Sequence, residues 1–488
     1  MQAPSAFSFP QEGADEIISD AEREQYEKQL IETLANDSAY INAVRNSDRQ
    51  NALAEGFAAI RRIAAASTDI RFQKLYHDNA EFRNGLRNDV LAAAYKEVSV
   101  RGNVAVEQSE PSHEQTPVVY IPVDGEWQGF PSVEAAQKAA LEEFRKETRR
   151  RARNFRITDE HLGEGGAKAK CRANIEAIQL LKYLEENSFQ ASSEHQEVLS
   201  RYVGWGGIPE VFDESKSEWS KEYAELKSLL TPEEYEAARG STLNAHYTSP
   251  AVIRAIYEAV GSMGFEGGRI LEPSMGVGNF FGLLPESMQG SQLNGVELDS
   301  ITGRIAKQLY PEANITVAGF ETTNRPGFYD LAVGNVPFGQ YQVHDPEYDR
   351  LGFSIHNYFV AKMLDQVRPG GIVAFVTSRY TLDAKDESVR RYLAARGELL
   401  GAIRLPNNAF RANAGTDVVS DIIFLQRREQ PLTELPDWVH VGTTPEGFTI
   451  NRYFIDNPDM VLGTPTAEST QYGRQDYTVA TIDRKSVV

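Results

Sequence analysis

The sequence has almost no cysteine and no long apolar run. Cys171 is the single cysteine in 488 residues, so disulfides and cysteine-rich metal sites are excluded and a cytoplasmic setting is expected. No stretch approaches the roughly 18 apolar residues of a membrane helix, and the N-terminus lacks a signal-peptide pattern, so no membrane partner is expected. The eight histidines show no zinc-ligand spacing, and no metal site is predicted.

Basic residues are outnumbered, with 50 Lys and Arg against 70 Asp and Glu, which gives a net charge of −20. This excludes a protein coated in positive charge but allows a local basic groove. The stretch 145–156 holds seven basic residues and one acidic residue. Both a phosphate-binding strip and a solvated helix face fit this stretch. The candidates for DNA phosphate contacts are Arg149, Arg150, Arg151 and Arg153.

Changes in residue pattern predict four parts of the chain. Apolar residues at helical spacing indicate a helical N-terminal domain at 1–110. A linker with a short β-ribbon and a second helical region follow at 111–240. An α/β core is predicted at 241–430, and a Pro-rich, polar C-terminal extension at 431–488.

Short apolar strands alternate with amphipathic helices in the predicted core. Seven strands are expected, at 268–272, 292–298, 314–318, 329–335, 371–378, 399–405 and 421–427. This alternation predicts a mostly parallel sheet with helices on both faces. No helix is expected between the last two strands, which indicates a terminal hairpin.

Two of these strands end in residues suited to binding a nucleoside. After the first strand, Gly276 and Gly278 allow a tight turn into a helix, with backbone close to a ligand. A structural turn alone explains these glycines equally well. The second strand ends at Glu297, which could accept hydrogen bonds from two ribose hydroxyls. Asp299 is an alternative acceptor, and both acids could be loop charges.

The fourth strand ends in Asn335, Val336, Pro337 and Phe338. The Asn335 side-chain carbonyl and the Val336 backbone carbonyl could accept the two hydrogens of an amino group on a planar base. That would expose the nitrogen lone pair without a strong base. Pro337 restricts Val336 to extended conformations. The alternative is a strand-ending turn with Phe338 in the core.

Taken in order, the motifs "HYTSP", "LEPSMGVGNFF", "GVELD" and "GNVPFG" resemble the amino-group DNA methyltransferases that use S-adenosylmethionine. The most similar type is the N6-adenine enzymes. The stretch 155–428 also resembles the methyltransferase part of large methyltransferase–helicase proteins of plasmids and integrative conjugative elements. The helical N-terminal half with this core is similar to the modification subunit of type I restriction systems.

This resemblance implies a Rossmann-like methyltransferase core, a mostly parallel seven-stranded sheet preceded by a mainly α-helical N-terminal region. It implies that Asn335, Val336 and Pro337 act on the target amine and that Phe338 stacks on the flipped base. The implied S-adenosylmethionine ligands are Tyr247, Thr248, Glu272, Ser274, Gly276, Gly278, Glu297 and Phe320, with Glu321 as an alternative to Phe320.

The predicted function is therefore methyl transfer from S-adenosylmethionine to the N6 of adenine in DNA, in the context of restriction–modification. A second hypothesis is a catalytically weak or inactive cofactor- or DNA-binding module acting in anti-restriction or as a subunit of a larger complex. Methylation of RNA or of a protein glutamine ranks third. About 60 residues follow Arg428, too few for a base-reading domain. A specificity subunit, or a helicase or recognition region of a longer polypeptide, is therefore expected as a partner.

Overall fold

The computed structural model describes residues 20–45, 56, 59–60, 90–91, 93–94, 119–124, 126–130, 132–242, 248–410, 418–432, 434–469 and 475–481. The chain forms two compact units, Met1–Thr116 and Pro117–Val488. In the first unit the described helices include α1 (Asp20–Leu34) and α2 (Ser38–Arg45). Much of the helical N-terminal domain predicted at 1–110 lies outside the described residues. No helix in the described ranges is long and apolar enough to cross a membrane.

The second unit begins with the predicted β-ribbon, in which β1 (Val119–Val123) pairs antiparallel with β2 (Glu126–Phe130). The α-helices that follow are α3 (Val133–Arg151), α4 (Ala167–Glu186), α5 (Ser193–Leu199), α6 (Ser220–Leu229) and α7 (Pro232–Ser241). The start of α7 is the one that its sequence predicts. The Thr231 hydroxyl accepts from the N–H of Glu234, whose carboxylate accepts from the N–H of Thr231.

Helix α4 shows why this helical region joins the core. Its buried side chains include Cys171, Ile175, Ile178 and Leu181, which recur at three- and four-residue spacing and form one apolar face. They belong to the hydrophobic cluster that also covers one face of the large sheet. The helical region therefore packs on the α/β core within one compact unit.

The core alternates strands and helices as expected. Its strands are β3 (Arg269–Glu272), β4 (Gln292–Glu297), β5 (Asn314–Val317), β6 (Tyr329–Asn335), β7 (Val367–Ser378), β8 (Gly397–Arg404) and β9 (Ser420–Arg427). Its helices are α8 (Pro250–Ser262), α9 (Asn279–Gly282), α10 (Ser300–Leu309), α11 (Ile355–Gln366), α12 (Tyr380–Asp383) and α13 (Ser388–Arg396). Only β7 differs clearly, since it begins four residues earlier than the predicted strand at 371–378.

The seven strands form one sheet in the order β5-β4-β3-β6-β7-β9-β8. Strand β9 runs antiparallel to the other six, which are parallel to one another. The predicted fold class, a Rossmann-like methyltransferase sheet with a terminal hairpin, is confirmed. The strand order reverses direction between β3 and β6. In open α/β sheets, ligands bind outside the carboxyl ends of the strands at such a switch point.

The C-terminal extension is more ordered than its polar sequence indicates. It contains the antiparallel pairs β10 (Val441–Thr443) with β11 (Thr449–Asn451) and β12 (Thr464–Ser469) with β13 (Gln475–Ala480), and helix α14 (Arg452–Asp456). Its buried side chains join the cluster on the second face of the sheet; they are Trp438, Val439, Ile450, Phe454, Tyr477 and Val479. The extension therefore packs as part of the core unit.

Candidate active site at the carboxyl edge of the sheet

The turn after β3 needs glycine at two positions. Gly276 and Gly278 have φ angles of 56° and 88°, in the left-handed region that side chains disfavour. A Cβ atom on Gly278 would also lie 2.5 Å from Cε2 of Tyr310. The turn can therefore bring backbone N–H groups to the switch point, and the N–H of Gly276 donates to the Glu297 carboxylate at 2.8 Å.

Glu297 stands at the end of β4 beside this turn. One carboxylate oxygen accepts from Gly276 and the other from the N–H of Asp299, both at 2.8 Å. Burial raises the pKa of Glu297 to about 7, although these backbone donors oppose the rise. Asp299 is engaged differently, because it caps α10 by accepting from the N–H and hydroxyl of Thr302. Because Asp299 is used as a helix cap, Glu297 is the better placed of the two acids to accept a hydrogen bond from a ligand at the strand end.

Glu272, at the end of β3, is a buried acid with an unusual environment. It is 2% exposed, and its Oε2 atom has no hydrogen-bond partner among the described residues. Burial, reinforced by the neighbouring Glu297 carboxylate, raises its pKa well above the ordinary value. A buried acceptor without a donor is costly, so this position suits a ligand that brings a donor or a positive charge.

Leu298 follows Glu297 and was not singled out from the sequence. Its side chain is 76% exposed, whereas the four residues before Glu297 on the same strand are buried. An apolar side chain beside a carboxylate at a strand end offers a surface for a flat apolar group. The only sequence signal for it is a leucine between two acids.

The Gly- and aromatic-rich connector at 202–213 also reaches this side of the sheet. The Asn174 side chain donates to the carbonyl of Gly204 at 2.6 Å and accepts from the N–H of Val203 at 2.9 Å. The buried Tyr202 contacts the side chain of Thr302, and its pKa is raised by burial and by Asp299. The connector therefore supports the start of α10 next to Glu297.

Asn335 and its neighbours close the other side of the switch point. Asn335 pairs with Val376 on β7, and the hydroxyl of Ser274 donates to the Asn335 carbonyl at 2.8 Å. The N–H of Val336 donates to the Val376 carbonyl at 3.1 Å, so the backbone is held on both sides of Asn335. The structure thus brings together the turn containing Ser274 and the Asn335 strand end.

The three residues after Asn335 differ in exposure. Val336 is 2% exposed, whereas Pro337 and Phe338 are half-buried. Phe338 packs against the hydrophobic clusters on both faces of the sheet. It therefore has a structural role in the core as well as a partly accessible surface.

Phe320 is buried beside helix α11, and its exposure equals that of Glu272. Its ring is 2% exposed, with its centroid 5.0 Å from that of Phe359 and 5.0 Å from the Lys362 ammonium. The alternative, Glu321, is exposed, and its backbone carbonyl lies 3.4 Å from the same ammonium. A cofactor role for either residue stays a prediction.

The segment behind the Asn335 strand end is held by a buried ion pair that the sequence did not reveal. The Lys362 ammonium donates to the Asp345 carboxylate at 2.8 Å, and the hydroxyl of Tyr358 donates to the same carboxylate at 2.8 Å. His356 is buried at the start of α11, with Nδ1 3.1 Å from the Gly339 carbonyl. Burial lowers the pKa of His356 below its ordinary value.

The predicted site extends upstream to Tyr247 and Thr248. Tyr247 lies outside the described residues. Thr248 is 4% exposed and directly precedes Ser249, the N-cap of α8. Within the described ranges, no group of three His, Cys, Asp or Glu side chains could hold a metal ion.

The four basic candidates are exposed but lie away from Asn335. Arg150 and Arg151 both contact Glu147, and the Arg153 guanidinium is 3.9 Å from Glu312. Helix α10 starts at the carboxyl edge and ends near this cluster, where the Leu309 carbonyl accepts from the N–H of Phe155 at 2.8 Å. The structure therefore places the cluster, which also includes Arg149, toward the opposite edge of the sheet.

The comparisons with known proteins give one similarity in sequence and several in structure. No protein-family model matches the chain. It is 27% identical over 289 residues to "Defense against restriction protein B" of Escherichia phage P1, and this match covers 58% of the chain and 11% of the phage protein. The chain thus spans about a tenth of the curated relative that it matches.

Among solved structures, the chain is similar to a modification subunit of a putative type I restriction enzyme from Vibrio vulnificus YJ016. The identity is 15%, the coverage is 60% of this chain and 68% of that one, and the TM-score is 0.34. It is also similar to the M protein of the type I restriction enzyme EcoKI, with 16% identity, coverage of 54% and 64%, and a TM-score of 0.30. The chain is thus similar in structure to type I modification subunits, as its helical N-terminal half and α/β core indicate. Its seven-stranded sheet has a Rossmann-like fold.

Proposed function

We propose that this chain transfers a methyl group from S-adenosylmethionine to the exocyclic N6 of adenine in DNA. One observation carries the proposal. The Asn335 motif ends β6 at the switch point of the sheet, next to the glycine turn and the two acidic strand ends. A methyl donor bound at the glycine turn and the acidic strand ends would meet an amino group held at Asn335. The motifs for these two parts follow one another in the sequence in the order of the resembled methyltransferases.

The residues of the first two strand ends fit the cofactor. Glu272 offers a buried carboxylate oxygen without a donor, which suits the ammonium of the methionine part. Glu297 would accept from the ribose hydroxyls, and the exposed Leu298 would cover a face of the cofactor adenine. When bound, the cofactor supplies a methyl group on a positively charged sulfur.

The acceptor side needs two carbonyls and a fixed backbone. The amine lone pair of adenine is delocalised into the ring, and acceptors for both amine hydrogens would draw the nitrogen toward tetrahedral geometry. The Asn335 side chain and the Val336 carbonyl would supply them, and Phe338 would stack on the flipped base. The hydrogen bond from the Val336 N–H to the Val376 carbonyl fixes the turn, so the proposed role needs no proline at position 336.

A labelled-cofactor experiment tests the proposal. The chain is incubated with methyl-labelled S-adenosylmethionine and unmethylated DNA, and the digested nucleosides are separated. We expect label in N6-methyladenine. Label in a methylated cytosine would show that the target base is cytosine and not adenine. Label on RNA or protein alone would contradict the proposal.

A second candidate function is supported by the name of the phage relative, which denotes defence against restriction. In this alternative the chain binds the cofactor or DNA but transfers methyl groups weakly or not at all. Calorimetry with S-adenosylhomocysteine separates the two candidates. Binding without labelled product on any DNA would favour the second, and product formation that depends on Asn335 would favour the first.

We also propose that sequence-selective action needs a partner subunit or further parts of a longer polypeptide. The four exposed arginines near the end of α3 would contact phosphates, and such contacts position a protein without specifying sequence. The isolated chain should bind DNA weakly and with steep salt dependence. A hundredfold preference for one duplex over scrambled competitors, measured by gel shift at physiological salt, would contradict this.

A further inference from the structure

A tyrosine just after the neighbouring strand lies at the same edge of the sheet as Asn335. Strand β7 pairs with β6, with Val376 opposite Asn335, and it ends two residues later at Ser378. Arg379 and Tyr380 follow at the start of α12. Tyr380 is therefore four residues from the partner of Asn335, and its side chain is 41% exposed.

The exposed ring of Tyr380 is held in a fixed position. The Arg379 guanidinium donates to the Tyr380 hydroxyl at 2.8 Å and lies over one face of the ring, 4.2 Å from its centroid. The hydroxyl donates to the carboxylate of Asp476 at 3.0 Å. Arg379 itself is buried and paired with both Asp383 and Asp476. An aromatic ring that is ordered before binding loses little entropy on binding.

The C-terminal extension supplies one of these contacts. Asp476 lies on β13, and the N–H of Asn407, just after β8, donates to the Val479 carbonyl on the same strand at 2.8 Å. Since β8 and β7 end at the same edge of the sheet, β13 borders the acceptor side of the site.

We propose that Tyr380 is a stacking site for a nucleobase next to the target base, and that Arg379 and Asp476 are positioning residues for its ring. The inference rests on the proposed function, because it assumes a DNA strand at the acceptor side. A half-buried Phe338 packed into the core would serve the target base, whereas the more exposed ring of Tyr380 would serve its neighbour. Aromatic rings stack on any base, so the site adds affinity rather than sequence preference.

A double-mutant cycle tests the stacking site with the full chain. Binding of a fluorescent single-stranded octanucleotide with one central adenine is compared with octanucleotides in which the base on either side of it is replaced by an abasic position. We expect Tyr380→Ala to weaken binding of the intact strand roughly tenfold, the scale of one stacked base. Tyr380→Phe should keep most of the affinity, and Asp476→Asn should lose an intermediate amount. Tyr120→Ala, at another exposed tyrosine, is the matched control and should bind normally.

The decisive result is the coupling between protein and strand. Loss of one neighbouring base should weaken binding by the wild type but not by Tyr380→Ala. Equal affinity of wild type and Tyr380→Ala, or equal sensitivity of both to every abasic position, would overturn the proposal. Methyl transfer is measured separately. Coupling without methyl transfer would uphold the stacking site and refute the proposed activity, whereas methyl transfer without coupling would do the reverse.

Discussion

Two pairs of acids lie at the carboxyl edge of the same sheet, and they differ in whether a cation is paired with them. Glu272, Asp383 and Asp421 are buried, and Glu297 is half-buried. Glu272 and Glu297 end adjacent strands, with no cation paired to either among the described residues. Asp383 and Asp421 lie on the other side of β7, where the Arg404 guanidinium contacts both carboxylates at 2.8 Å. Arg404 and Asp421 are 0% exposed, and Asp383 is 6% exposed.

The two pairs differ in what opposes the effect of burial on the pKa. Burial raises the pKa of both glutamates, to about 7 for Glu297. Burial also raises the pKa of Asp421, but the Arg404 charge works against that rise. Burial would lower the pKa of Arg404, but Asp421 and Asp383 outweigh it and raise that pKa well above its ordinary value. We call Asp383 and Asp421 the compensated pair, because Arg404 supplies a paired cation, and Glu272 and Glu297 the uncompensated pair. The compensated pair holds the β8–β9 hairpin to the C-terminal extension, whose Asn451 N–H donates to Asp383. Uncompensated acids cost stability and are expected where a ligand completes the site.

The largest expected effect breaks the compensated pair. Arg404→Met should lower the free energy of unfolding by about 3–5 kcal/mol, because it leaves the buried Asp421 without a paired cation and Asp383 with Arg379 alone. Urea unfolding followed by circular dichroism measures the change. The control is Arg391→Met, which removes an exposed pair with Glu387 and should cost less than about 1 kcal/mol. A loss below 1 kcal/mol for Arg404→Met would show that the network is not structural.

The second prediction concerns the acceptor side. Asn335→Ala should reduce methyl transfer by roughly a hundredfold or more, the scale of one lost preorganised polar group. Cofactor affinity should stay nearly unchanged, because Asn335 would touch only the target base. Single-turnover rates and calorimetry measure the two quantities, with the exposed Asn324→Ala as control. Full activity in Asn335→Ala would mean that another group activates the amine.

The sequence predicts the features that depend on residues near one another in the chain, and it does not predict contacts between residues far apart in the chain. Local apolar patterns predict the seven strands, the helices between them and the terminal hairpin. The observed sheet confirms these predictions. The strand-end positions of Glu272, Glu297 and Asn335 follow as well, because parallel strands place their carboxyl ends at one edge. Their roles stay predictions.

The compensated pair could not be predicted in the same way. Arg404 meets Asp383 and Asp421 only after two strands and a helix have packed, and each residue alone looks like an ordinary surface charge. The same holds for the buried pair of Lys362 and Asp345. The packing of the Pro-rich, polar C-terminal extension could not be predicted either, because its buried residues are spread over short strands with no clear period.

The third prediction concerns the uncompensated pair. If Glu297 accepts from the ribose, affinity for S-adenosylhomocysteine should rise as the pH passes through about 7, where its carboxyl loses its proton. Glu297→Gln should remove this dependence, and Glu297→Ala should weaken binding by about 1 kcal/mol or more. Calorimetry between pH 5.5 and 8.5 gives both results, with Glu312→Gln at the opposite edge as control. A flat pH profile in the wild type would contradict the assignment.

The same acid makes a prediction for stability. The folded pKa of about 7 lies above the ordinary value of 4.5, so the folded chain holds its proton more tightly than the unfolded chain. The contribution of Glu297 to the free energy of unfolding should therefore fall as the pH rises from about 4.5 to about 7. Comparison of wild type with Glu297→Gln in urea isolates this contribution. An unchanged difference between the two proteins across that window would refute the raised pKa.

The smallest expected effect tests the backbone beside the uncompensated pair. Val336→Pro gives two consecutive prolines but removes the N–H that donates to the Val376 carbonyl at 3.1 Å. We expect a stability loss of about 1 kcal/mol. Methyl transfer should change only a few-fold, because the carbonyl of residue 336 is kept. Val336→Ile, which retains the N–H, is the matched control for both measurements. A Val336→Pro variant that is more stable and more active than wild type would contradict this prediction. It would show that the hydrogen bond to Val376 does not hold the turn, and that valine at this position lowers activity instead of fixing the same carbonyl in another way.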